Sequence, residues 1–302
     1  LKAAQRIYED GIGIPILLGR KDVITALKHE IGFTGDVAII DPKSDEEKAR
    51  CSAYAQQYWK ARERRGVTLH TAERLMVERN YFGTMMVQRG EADAMITGYS
   101  RAYPAAIKPV LEIIDKQPGV ERIAATSIMI TKQGPLFLSD ATININPTSE
   151  DLVNIALLTA KAVKFFGLEP SVAMLSYSNF GSAVSESSQK VRKAVEYLHE
   201  HHPDLVVDGE IQPDFALNPD KLAKDYPFSK LNNGKGANVL IFPNLDAANI
   251  TYKIMKELQH LETVGPIILG LQKPIHIATV GSTTDEMVNL ATLAVVDAQD
   301  RE

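Results

Sequence analysis

The 302-residue sequence has one cysteine, Cys51, and one tryptophan, Trp59. A lone cysteine excludes an intrachain disulfide and a cysteine-rich metal site, and it fits a reducing compartment, here the cytoplasm. No apolar run approaches the roughly 18 residues of a membrane span. No signal-peptide pattern follows the first residue, Leu1. A charge surplus is also missing: 33 Lys and Arg face 38 Asp and Glu, a net charge of −5. Without a basic surplus, sequence-blind binding to nucleic acid or to an anionic membrane is disfavoured. What is present is 45% hydrophobic and 24% charged residues, an ordinary globular composition and not a disordered one. The length predicts two domains at about 150 residues each. A chain that opens on Leu1 without methionine is expected to be a piece excised from a longer protein.

Short apolar runs alternate with amphipathic stretches. Candidate strands are Ile14–Leu18, Val37–Ile40, Ala92–Thr97, Ser127–Thr131, Val172–Ser176, Leu205–Val207, Val239–Phe242 and Pro266–Leu269. Continuous Val, Ile and Leu runs of this length read as strands buried on both faces, as in parallel sheets. The clearest helix opens at Thr148 or Ser149 as N-cap, carries Leu152, Ile155, Ala156, Ala160 and Val163 at helical spacing, and stops at Gly167. Others are expected over about Ser185–His202, Ala247–His260 and Thr284–Ala298. The alternation predicts an α/β fold with a mostly parallel sheet. Weak linker signals at Lys116–Gly119 and Thr263–Pro266 divide the chain into a discontinuous first domain, 1–119 plus 263–302, and a second domain, 120–262.

The familiar phosphate-binding and nucleophile motifs are missing. Gly11-Ile12-Gly13 lacks the rest of a dinucleotide fingerprint, and Gly234-Lys235-Gly236 precedes a strand, so it reads as a turn. His199, His201 and His202 suit a cationic helix C-terminus, and no partner ligands at metal-site spacing accompany them, so no metal is expected. Lys60, Arg62, Arg64 and Arg65 are either a solvated helix face or a phosphate site, since Arg binds phosphate oxygens in a fork. Ser176-Tyr177-Ser178-Asn179-Phe180-Gly181-Ser182 follows a strand and precedes a helix. It is either a plain polar turn or an anion site built from loop N–H groups at the carboxyl end of a strand.

Several motifs together resemble the phosphate acetyltransferase (phosphotransacetylase) family. They are Gly90-Glu91-Ala92-Asp93-Ala94-Met95-Ile96-Thr97-Gly98, Ile107-Lys108-Pro109, Phe166-Gly167-Leu168-Glu169-Pro170, Val207-Asp208-Gly209-Glu210-Ile211-Gln212, Ile241-Phe242-Pro243-Asn244, and Val264-Gly265-Pro266-Ile267 through Lys273-Pro274. The resemblance implies two α/β domains with a cleft between them, in an isocitrate/isopropylmalate dehydrogenase-like architecture. The implied chemistry is acetyl exchange between coenzyme A and phosphate. Tyr81-Phe82-Gly83-Thr84-Met85-Met86-Val87 and the Ser178–Ser182 loop are similar to the C-terminal domain of bacterial hybrid malic enzymes. That branch implies an N-terminal malic enzyme domain using NADP and a divalent metal, control by acetyl-CoA, and homo-oligomers.

Departures from the family pattern bear on catalysis. The family's Ser-Arg pair and the Asp six residues on, its proposed base, fall here on Thr279, Val280 and Glu286. Val280 supplies no cation, so a charge-assisted phosphate contact is lost, and the longer Glu286 arm displaces the base. In the segment Ser100-Arg101-Ala102-Tyr103-Pro104 through Lys108-Pro109, two threonines have become Ala102 and Tyr103, and an arginine is Lys108. The family's Tyr-x-x-x-Arg run matches Tyr58 and Arg62. No catalytic residues are therefore expected. Acetyl-CoA or coenzyme A is expected on Arg62, Thr97, Lys108, Ser176, Ser178, Asn179, Phe180 and Gly181, with Asn249, Lys253 and Gln272 as weaker candidates.

Overall fold

The computed structural model describes residues 1–99 and 102–301. The chain forms two compact units, Leu1–Asp115 with Leu271–Glu302, and Lys116–Gly270. In chain order the first unit begins with α1 (Lys2–Glu9), β1 (Leu17–Leu18), α2 (Lys21–Glu30), β2 (Ile39–Ile40) and α3 (Lys48–Arg62). It continues with α4 (Leu69–Met76), α5 (Arg79–Gln88), β3 (Met95–Thr97) and α6 (Tyr103–Ile113). The second unit holds β4 (Ala124–Thr131), β5 (Gly134–Ser139), α7 (Ser149–Phe165), β6 (Ser171–Leu175), α8 (Glu186–His201) and β7 (Val206–Ile211). It closes with α9 (Pro213–Ala216), α10 (Pro219–Asp225), β8 (Val239–Ile241), α11 (Leu245–Gln259) and β9 (Thr263–Leu269). The chain then returns to the first unit with β10 (Ile275–Ile277) and α12 (Thr284–Asp300).

In the second unit one six-stranded sheet runs in the order β7-β6-β8-β5-β4-β9. The β7/β6, β6/β8 and β8/β5 pairs are parallel, whereas β5/β4 and β4/β9 are antiparallel. Every residue of β6 and β8 is buried, which is why their sequences read as unbroken apolar runs. β5 escapes that reading: it opens on Gly134-Pro135, and proline is tolerated at the start of a strand although it signals a break. Two residues join β4 to β5, with Thr131 opposite Gly134 and the Thr131 hydroxyl donating to the Gly134 carbonyl at 2.8 Å.

The second linker signal, at Thr263–Pro266, falls inside a strand. β9 pairs along β4 from Met129↔Thr263 to Ala124↔Leu269, so residues 263–269 complete the second unit's sheet. Its hydrogen bonds override the local Gly-Pro break.

The capping signal at Thr148 holds, and the structure adds caps at three further helices. Thr148 caps α7 by accepting from Asp151 N–H, and the Asp151 carboxylate accepts from Thr148 N–H. Ser185 caps α8, Asn244 caps α11 and Thr283 caps α12. The turn at Gly234–Gly236 is also present: Asn233 Oδ1 accepts from the N–H groups of Lys235 and Gly236.

The first unit has two small parallel pairs, β1/β2 and β3/β10. Its core gathers Tyr54, Ala55 and Tyr58 of α3, Met76 of α4, and Phe82, Met85 and Met86 of α5. Three-residue β10 has too short a pattern to declare itself in sequence. Among the described residues no helix is long and apolar enough to cross a membrane.

Candidate functional site

The loop after β6 is built around Glu210. This carboxylate is fully buried. Its Oε1 accepts from Gly181 N–H at 2.8 Å and from the Ser178 hydroxyl at 3.0 Å. Arg192 of α8 grips it with two bonds, Nε to Oε2 at 3.1 Å and Nη2 to Oε1 at 2.9 Å. Burial pushes the Glu210 carboxyl up, but Arg192, the Gly181 N–H and the Ser178 hydroxyl outweigh it and hold the group below the usual carboxylate range. Gly181 has φ +92°, a backbone conformation that side-chain-bearing residues rarely adopt and that favours glycine at this turn.

The expectation that this loop's amides face an anion is not met. Ser176 N–H donates to Ile211 O, Ser178 N–H to Ser176 Oγ, Asn179 N–H to Ser182 Oγ, Phe180 N–H to Glu210 O, and Ser182 N–H to Asn179 O. With Gly181 on Glu210 and Ala183 on Ser178 Oγ, these seven amides are engaged within the protein. Asn179 also spends its side chain internally: Oδ1 accepts from Gln212 N–H at 2.7 Å, and Nδ2 donates to Gln212 Oε1 at 3.1 Å. The Phe180 ring packs between Tyr226 and Phe228, with centroids 4.9 and 5.0 Å away. The sequence reading could not see this, because the partner that satisfies the loop, Glu210, lies on a different strand.

Arg62 presents the opposite situation. It ends α3, and its side chain is only 17% exposed. Nη2 lies 3.6 Å from Oε1 of Glu112 on α6, too far for a hydrogen bond. Nε is buried with no hydrogen-bond partner among the described residues. The other oxygen of Glu112 is occupied: Oε2 accepts from Tyr81 at 2.6 Å and from Tyr58 at 2.9 Å. Burial, then the hydrogen bond to Glu112, pushes Tyr58 up to about 12, and the same causes push Tyr81 up as well. A buried guanidinium with unspent donors costs free energy unless a further acceptor arrives.

Thr97 closes β3 beside β10. Its hydroxyl donates to Asn80 Oδ1 at 2.8 Å, and its carbonyl accepts from Ala278 N–H at 2.7 Å. Gly98, at φ +103°, lies against the next strand so closely that a Cβ would sit 2.4 Å from Ala278 O. Asn80 Nδ2 is buried without a partner among the described residues. Just beyond β10, Thr279 N–H donates to Ser282 Oγ at 3.1 Å, and the two hydroxyls are 3.2 Å apart. Val280 is 72% exposed. The Glu286 carboxylate accepts from Thr283 N–H at 3.0 Å, closing a capping box on α12.

The remaining candidates divide. Lys108 on α6 and Lys253 on α11 are exposed. Asn249 is a tether: its Nδ2 donates to Ala141 O at 3.0 Å. Gln272 donates its N–H to Asp115 O at 2.9 Å. Ser100 and Arg101 lie outside the described residues. His199 and His201 are spread along the end of α8, with His199 Nε2 2.8 Å from Val207 O and the His201 ring stacked on Tyr197. Among the described residues no group of three or more His, Cys, Asp and Glu is placed to hold a metal ion.

Glu112, Asn80 and Arg192 do not stand out in the sequence, and Tyr81 and Glu210 do so only as parts of family motifs with no site role attached. Glu210 and Asp208 offered one signal, two carboxylates inside a short strand that opens on Val206-Val207 and ends on Ile211. Asp140 is similar: it is buried beyond β5, where burial pushes its carboxyl up against the N–H groups of Ile143 and Thr142 that bind it.

Comparison with known proteins sets these observations in a family. Residues 1–295 match the family described as phosphate acetyl/butaryl transferase. The chain is 37% identical over 305 residues to the NADP-dependent malic enzyme of Salmonella typhimurium, covering 99% of this chain and 40% of that protein. It is 36% identical over 299 residues to the phosphate acetyltransferase of Bacillus subtilis, covering 99% and 91%. The crystal structure of a phosphotransacetylase from Streptococcus pyogenes superposes with a TM-score of 0.88 at 34% identity, covering 99% and 90%. The chain therefore spans about two fifths of the malic enzyme that it matches. By fold, by sequence and by the residues matched, the chain belongs to the phosphate acetyl/butaryl transferase family.

Proposed function

We propose that this chain is an acetyl-CoA-binding regulatory domain of a hybrid NADP-dependent malic enzyme, similar to phosphate acetyltransferase but without its activity. Arg62 carries the reading. A largely buried guanidinium with unspent donors suits the phosphate groups of coenzyme A, which take Arg in a fork. Loss of acetyl transfer is supported by Val280, which has no charge to offer a phosphate, and by Glu286, whose carboxylate is engaged at the helix cap and is not free as a base. In the parent protein the N-terminal domain supplies malate oxidation with NADP and a divalent metal, and copies of this domain assemble the oligomer. Acetyl-CoA binding here is linked to that activity by about 1–3 kcal/mol, the usual range for allosteric coupling. Calorimetry on this chain with acetyl-CoA tests the reading, and absence of binding at millimolar ligand overturns it.

A second reading is an active phosphate acetyltransferase. The 91% coverage of the Bacillus subtilis enzyme favours it. In that case Glu286 leaves its cap to act as base and Thr279 contacts substrate. A thioester assay with acetyl phosphate and coenzyme A separates the two: turnover abolished by Glu286→Ala selects the enzyme.

A further inference from the structure

The Arg62 site contains a competitor for its own ligand. Glu112 is a carboxylate 3.6 Å from an arginine, yet the pair does not close into the two-bond bridge that Arg and carboxylate normally form at about 2.8 Å. The obstacle is visible in the hydrogen bonds. Tyr58 from α3 and Tyr81 from α5 both donate to one oxygen, Oε2, and their rings pack edge to face with centroids 5.7 Å apart. Both tyrosines are buried. Two phenols on one oxygen fix the rotation of the carboxylate, and this rotation leaves Oε1 short of Arg62.

We propose that Tyr58 and Tyr81 are positioning residues that restrain Glu112, so that it attracts the Arg62 guanidinium without capturing its donors. The inference rests on Arg62 being the phosphate ligand of the proposed function. With the carboxylate restrained, the Arg62 N–H groups remain for a phosphate ester or pyrophosphate. Released from the phenols, Glu112 turns, closes the gap and competes with the ligand.

The test is calorimetric titration of acetyl-CoA into the wild type, Arg62→Gln, Glu112→Gln, Tyr58→Phe/Tyr81→Phe, and the triple variant that adds Glu112→Gln, with circular dichroism confirming the fold of each. The expected result is a loss of about tenfold or more for Arg62→Gln, which removes at least one charge-assisted bond, and about five- to tenfold for the double tyrosine variant, in which the arginine remains but meets a competitor. Glu112→Gln binds at least as tightly as wild type, and the triple variant recovers to within about twofold of it. A purely structural role for the tyrosines leaves the triple variant as weak as the double and overturns the proposal, as does weaker binding by Glu112→Gln. If the double variant does not fold, Glu112→Gln alone and Tyr58→Phe decide it. Wild-type binding that is unchanged in Arg62→Gln removes the underlying reading instead. Dependence on Arg62 with no effect of the tyrosines removes only this inference.

Discussion

Arg192 and Glu210 face each other across the loop after β6 with two parallel bonds, at 3.1 and 2.9 Å. The partners differ in their surroundings. Glu210 is fully buried, whereas the Arg192 side chain is 36% exposed. Removing one or the other therefore has unequal consequences. Arg192→Met strands a buried carboxylate and costs about 3–5 kcal/mol, the range for breaking a buried pair on one side. Glu210→Gln keeps an acceptor for Gly181 and leaves Arg192 free to reach water, so it costs less. Urea unfolding of both variants checks the order, and equal losses contradict it.

His276 gives a pH signature. It is fully buried in β10, and burial lowers it to about 4 from an ordinary 6.5, against the opposing pull of Asp297. Between those values the unfolded chain binds a proton that the folded chain refuses. Stability is complete above about pH 6.5 and falls as pH drops toward about 4, by about 3 kcal/mol at most. Stability measured between those limits in wild type and in His276→Gln checks this: the variant loses that share of the slope.

Thr148 is a local test of sequence-encoded structure. Its hydroxyl accepts from Asp151 N–H at the start of α7. Thr148→Ala costs about 1 kcal/mol and Thr148→Ser almost nothing. Denaturant midpoints at unchanged slope are the readout.

Val280 is 72% exposed and packs little. Val280→Arg leaves stability within about 0.5 kcal/mol of wild type, as surface changes usually do. It adds a cation at the position where the resemblance implies an arginine, and under the proposed function inorganic phosphate binds more tightly to the variant in calorimetry. Unchanged phosphate affinity shows that this position no longer faces the ligand.

The unequal legibility of the two candidate sites has a physical cause. The loop at Ser176–Ser182 had the composition of an anion site and lies at the carboxyl end of a strand. Most of its amides are nevertheless spent, on the loop's own side chains and on Glu210 and Ile211, which arrive from β7 about thirty positions further along the chain. Arg62 looked like one member of a solvated basic run. Its neighbours Lys60, Arg64 and Arg65 are exposed, whereas Arg62 turns toward Glu112 and the two tyrosines. Composition and spacing report which groups are available, and they carry no record of which groups have already been satisfied.

The amino-acid sequence by itself determined the α/β class, the buried strands β6 and β8, the capped start of α7, the approximate spans of α8, α11 and α12, and membership of the family. These depend on local pattern, cap chemistry and motif identity, all read along the chain. Tertiary structure decided the antiparallel edge formed by β5, β4 and β9, the place of residues 263–269 in the second unit's sheet, and the contrast between a loop closed on Glu210 and an arginine held open by Tyr58, Tyr81 and Glu112. Those features arise from pairings between residues far apart in sequence, where burial sets how much an unspent hydrogen bond or charge costs.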